Sequence, residues 1–122
     1  MVRVVRLGSP RTRSEGLRLG TVRRPPRGVK KSDYARRNYY DLWLPELAPS
    51  AGLIKQAEKN WNRFVRSYRA EMRAPAAQRL LELLARLSHH GDFSVGCYCE
   101  DEKRCHRSIL RRLLAEHGAR LS

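Results

Sequence analysis

The stretch FSVGCYC, residues 93 to 99, constrains the fold most, because it reads as a strand of small and apolar residues set between two helices. Ahead of it, Pro75 is placed to open a helix, and AAQRLLELLARLSHH carries Ala76, Leu80, Leu83, Leu84 and Leu87 at helical spacing, with an end near Gly91. After it comes a polar turn, then a helix over 104 to 117 that turns Ile109, Leu110, Leu113 and Leu114 to the core and stops at Gly118.

Further strands are expected over 2 to 7 and 16 to 22, where β-branched or alternating residues are bounded by Gly, Pro and Ser, with a basic loop at 8 to 14 between them. The Arg-rich, acid-poor start has the composition of an organelle transit peptide, yet Val2, Arg3, Val4 and Val5 alternate as a strand does, so it is read as structure. RRPPRGVKK, 23 to 31, is a loop, because Pro25 and Pro26 remove donors and fix φ. Ser32 or Asp33 could cap a short helix to Tyr39 or Asp41, and YYDLWLP could equally be extended. Ser50 offers an N-cap for a helix over 51 to 58, and Trp61, Val65, Tyr68 and Met72 form one apolar stripe of a helix over 61 to 72. The order predicts one domain over 1 to 122, a small α/β sandwich with a short, mostly parallel sheet flanked by helices.

The charge is one-sided. Of a formal +14, +10 falls in residues 1 to 40, which hold 12 basic residues against Glu15 and Asp33. Such density favours a polyanion or phosphate-bearing partner, nucleic acid included, through contacts that weaken with salt. An Arg-rich solvated surface is the plain alternative. The interleaved basic and aromatic residues of single-strand binders are missing as a sequence pattern. Three cysteines argue against a closed disulfide framework, and no apolar run nears the roughly 18 residues of a membrane span, so a cytoplasmic protein with reduced thiols is expected.

All three cysteines lie in GCYCEDEKRCHR. On a strand, Cys97 and Cys99 share a face opposite Tyr98, and Cys105 follows at the next helix start, so three thiols can converge at one strand-to-helix corner. Four uses of that corner are open. Cys97, Cys99, Cys105 and His106 have the number and type of zinc ligands, although C-x2-C knuckles are absent and no cofactor is required. Cys105 or Cys99 could be a nucleophile, with His106 as acid or base and Arg107 holding an anion, although Glu100, Asp101 and Glu102 would oppose a thiolate. His106 and Arg107, with Arg104 and the loop residues Arg23, Arg24, Arg27, Lys30 and Lys31, could clasp a phosphate at a helix start. The fourth use is plain packing, with the thiols as small apolar residues.

Nearly the whole chain resembles domain-of-unknown-function family 488 (DUF488), YeaO-like group. GLRLGTVRRPPRGVKK is similar to that family's strand and R-x-x-P-R-G loop, carried by Arg23, Pro26, Arg27 and Gly28; Phe64, Tyr68 and Glu71 resemble its middle helix; CYCEDEKRCHRSIL resembles its cysteine-bearing signature. The resemblance implies Cys99, Glu100, Cys105, His106 and Arg107 as the candidate site. Val22 and Pro25 stand where YeaO-like members usually carry an acidic residue and a tryptophan, which puts any role of those two positions in question here. The leading expectation is a ligand-binding protein for phosphate-bearing molecules, with a Cys-dependent enzyme and a zinc-stabilised interaction module as alternatives.

Overall fold

The computed structural model describes residues 1–122. Its strands are β1 (Val2–Arg6), β2 (Leu17–Gly20), β3 (Leu42–Trp43) and β4 (Phe93–Cys97), and its helices are α1 (Ala51–Ile54), α2 (Trp61–Glu71), α3 (Pro75–Leu87) and α4 (His106–Glu116). The four strands form one sheet in the order β1-β4-β2-β3, all parallel. The α/β expectation is met, with every strand parallel.

Parallel pairing puts the carboxyl ends of all strands on one edge, and the last strand to arrive, β4, is inserted between β1 and β2. All five residues of β4 are buried, as expected of a central parallel strand. Two glycines allow the close approach this needs. A side chain at Gly96 would strike the Val5 carbonyl, and one at Gly20 would strike the Tyr40 ring.

The two sheet faces are covered differently. Val2, Leu19, Phe93 and Val95 pack with Phe64, Tyr68, Leu81, Leu84, Ile109, Leu110, Leu113 and Leu114, so α2, α3 and α4 form the helical layer. The alternating residues Arg18 and Ser94, paired in register, meet Glu15 instead. Arg18 is fully buried and bonds Glu15 through Nε and Nη2 at 2.9 and 2.7 Å, while Nη1 donates to the Ser9 and Asn38 carbonyls. Arg18 therefore holds loops onto the sheet and leaves the set of surface cations counted from sequence.

Element ends differ from expectation in instructive ways. The α1 helix closes at Ile54, not residue 58, because the chain continues to Asn60 through successive turns. Its N-cap Ser50 makes no cap bond; its N–H and Oγ donate to the Glu71 carboxylate at 2.9 and 2.6 Å. Residues 31 to 33 form a single tight helical turn without a side-chain cap, and part of YYDLWLP is extended, as β3. In α3 the buried stripe is Ala77, Leu81, Leu84 and Ala85, while Leu83 and Leu87 are about half exposed. Apolar residues span more than half of this helix's circumference, with Gln78, Arg79, Glu82 and Arg86 on the rest, so spacing alone does not select which part of that arc meets the sheet. In α2, Phe64 is buried with Tyr68, and Trp61 and Val65 pack at the margin. The α4 core face is as expected, and Gly118 (φ 87°) ends it with Gly118 N–H to Ala115 O and Ala119 N–H to Leu114 O, a Schellman arrangement. No helix is long and apolar enough to cross a membrane.

Candidate functional site

The strand β4 ends at Cys97, two residues earlier than its composition suggests, and this decides how the thiols are used. Cys97 stays buried, Tyr98 and Cys99 leave the sheet, and Cys99 is exposed. A tight turn at Glu102–Arg104 then brings the chain back, so that Cys105 is the buried N-cap residue of α4. The three sulfurs lie within 4.8 Å of one another and could hold a metal ion. The convergence read from the sequence is present, with one open thiol and two buried ones.

Hydrogen bonding among the thiols divides their acidities. Cys97 is pushed up by its bonds to Cys105 and Cys99 and by burial, and Cys105 is also raised. Cys99 is pushed well below the usual thiol range, chiefly by hydrogen bonding with Cys105 and Cys97; burial opposes this, and the positive charge of Arg107 favours it. A thiolate at Cys99, with Cys97 and Cys105 kept as thiols beside it, is the arrangement these directions describe.

His106 borders the thiol corner as a held ring rather than a free side chain. It is buried, its Nε2 lies 2.7 Å from the Thr21 carbonyl, and the Tyr68 ring meets its edge at 5.6 Å. A carbonyl only accepts, so Nε2 carries the proton, and Nδ1 is left 3.8 Å from Cys105 Sγ. Burial lowers its pKa to about 4, against the Thr21 bond, so the ring is neutral. Thr21 is itself bonded to Gly96 O through N–H and Oγ1, so His106 ties the start of α4 to the ends of β2 and β4. His106 is also outside the three-residue ligand group, which leaves the cysteines as its members.

Arg107 is buried as well. Its Nη2 donates to Cys99 O at 2.6 Å, while Nε has no partner, so it fixes the Cys99 backbone from behind and places a positive charge near that sulfur. The acidic run is drawn away from the thiols. Glu102 pairs with Arg111 at 2.7 Å, Asp101 caps the Lys103 N–H, and Glu100 reaches Arg6 at 3.5 Å.

Above the cluster is a cleft of about 520 Å³ whose walls include Val22, Arg23, Arg24, Arg27, Lys55, Cys97, Tyr98, Cys99 and His106. Arg23 is partly committed, donating to the Pro49 and Ala48 carbonyls at 3.2 and 3.0 Å and fastening the loop to the approach of α1. Arg24 and Arg27 are exposed and form no ion pair within the chain. Lys30, Lys31 and Arg104 are exposed outside this cleft; Arg104 lies over the Trp61 ring at 6.0 Å. Lys55, the residue just after α1, joins the cleft without having been singled out in the sequence, since only tertiary packing brings it there. Val22 is buried in the cleft wall and its carbonyl accepts from Trp43 Nε1, and Pro25 is exposed nearby.

The fold and the site define a small parallel α/β protein with a thiol cluster where the strands β1, β2 and β4 end, the edge at which open α/β sheets place their ligands. The chain belongs to the DUF488 family: the DUF488-N3a family model, described as the active DUF488-N3 subclade, matches residues 2–118. No curated protein and no solved structure matches it.

Proposed function

We propose that the protein binds a phosphate-bearing ligand in the cationic cleft and presents Cys99 to it as a reactive thiol. One observation carries this reading: of three sulfurs within 4.8 Å, only Cys99 is exposed, and it opens onto a cleft lined by Arg24, Arg27 and Lys55. In this reading Cys97 and Cys105 stay protonated beside the Cys99 sulfur, Arg107 holds its backbone, and His106 positions the corner. The description of the matched subclade as active agrees with it.

The test uses iodoacetamide at limiting concentration, with the labelled cysteine identified by peptide mass spectrometry and tripolyphosphate as the competing anion. Cys99 should label first, tripolyphosphate should slow it at low salt, and Arg24→Ala with Arg27→Ala should remove the protection. Equal labelling of Cys97 and Cys105, or no effect of tripolyphosphate at low salt, would overturn the reading.

The same triangle of sulfurs favours a second reading, a bound zinc ion held by Cys97, Cys99 and Cys105 with its fourth position open to the cleft. Protein purified without chelator should then contain one equivalent of zinc and lose thermal stability on chelation. Zinc-free protein that does not take up the ion contradicts it.

A further inference from the structure

The cleft above Cys99 does not end at Tyr98. On the other side of that residue lies a second cleft, of about 710 Å³, lined by Arg6, Ser9, Pro10, Arg24, Pro26, Arg27, Tyr39 and Tyr98. Arg24, Arg27 and Tyr98 border both. Each cleft falls within the roughly 300–1,000 Å³ of small-ligand sites, and since they share a wall, a ligand that uses both is extended.

The second cleft has aromatic as well as cationic walls. The Tyr39 and Tyr98 rings are 6.1 Å apart at 73°, and the Tyr98 hydroxyl donates to Arg24 O at 2.9 Å, which anchors the arginine loop to this corner. Tyr39 is held in place by backbone that is costly to adopt. Asn38 has φ 65°, and its carbonyl receives the Gly8 N–H at 2.8 Å and Arg18 Nη1 at 2.6 Å. Gly8, at φ 93°, lies against the Tyr39 ring, and a side chain there would touch it. The buried Arg18 thereby sets the position of an aromatic wall.

We infer that the joined clefts bind single-stranded nucleic acid, with the phosphates on Arg6, Arg24 and Arg27 and a base against Tyr39 or Tyr98 on the way to Cys99. The inference rests on the proposed anion-binding reading and names its ligand. Cations and aromatic rings side by side are what a single strand needs, since phosphates take the charge and every base offers a face for stacking. The pattern is invisible along the chain because Arg6, Arg24, Tyr39 and Tyr98 come from four separate segments, brought together by the ends of β1 and β4 and the loop after β2.

The experiment measures fluorescence anisotropy of labelled oligothymidylate and of an abasic strand with the same number of phosphates, at low salt. Oligothymidylate should bind about tenfold more tightly, the effect of one stacked base. Tyr39→Leu should reduce that preference while leaving abasic binding in place, and Tyr39→Phe should keep it. Circular dichroism confirms folding of each variant. Equal binding of the two strands by the native protein overturns the inference and leaves the anion reading standing; binding of neither overturns both. Oligouridylate run in parallel assigns the strand to RNA if it binds more tightly than oligothymidylate, and to DNA if it binds less tightly.

Discussion

His106 shows how one side chain can carry structure while looking like chemistry. Its Nε2–H reaches the Thr21 carbonyl, its Nδ1 faces Cys105, and Tyr68 and Arg107 complete its surroundings. The ordinary pKa of 6.5 falls to about 4 in the fold, chiefly through burial. Between those values the unfolded chain binds the proton and the folded chain does not, so stability is complete above pH 6.5 and declines as the pH falls to 4. The loss due to this residue is about 3 kcal/mol. Urea unfolding midpoints of chelator-treated protein should fall across that window, and His106→Gln should flatten that part of the profile. An unchanged slope in the variant would mean that His106 is protonated in the fold.

At the scale of elements, β2 depends on a buried ion pair that charge counting assigns to the surface. Burial pushes the Glu15 carboxyl up, but the Thr12 N–H, Arg18 and Ser94 outweigh it and hold it below the usual range. Replacing Arg18 by Met leaves Glu15 buried without its partner and should cost about 3–5 kcal/mol, read as a fall in the denaturant midpoint. A change within about 0.5 kcal/mol, the range of neutral surface substitutions, would show that Arg18 is an ordinary surface residue. The α1 helix depends on Glu71 in the same way. Glu71→Ala removes the acceptor of Ser50 N–H and Oγ and should cost about 1–2 kcal/mol. It should also raise hydrogen exchange over Ala51–Ile54, the wall that carries the approach to Lys55. Unaltered exchange there would separate α1 from this anchor.

How much of this was legible follows from the range of each interaction. Strand β4, helix α4 and its Gly118 stop are written in local pattern, and so is the meeting of three thiols, because β4, the turn and α4 are contiguous. The orientation of α3 was not, since Leu80, Leu83 and Leu87 compete with Ala77, Leu81 and Leu84 for the inner face. Nor was the inward turn of His106 and Arg107, because their partners Thr21 and the Cys99 carbonyl are set by sheet pairing and chain return.

For the whole molecule, the +14 charge is divided by the fold into separate duties. Arg18 and Arg107 are buried supports, Arg23 is a loop fastener, Arg69 and Arg111 pair with Glu116 and Glu102, and Arg24 and Arg27 remain open beside Cys99. The central claim is that this last pair makes the Cys99 environment cationic. The direct measurement is the ratio of alkylation rates at Cys99 by iodoacetate, an anion, and iodoacetamide, its neutral analogue, against the same ratio for a free thiol. At low salt the protein's ratio should exceed the free thiol's by about tenfold, fall with added salt, and fall again in the Arg24→Ala, Arg27→Ala variant. A ratio equal to that of the free thiol at low salt would contradict the account.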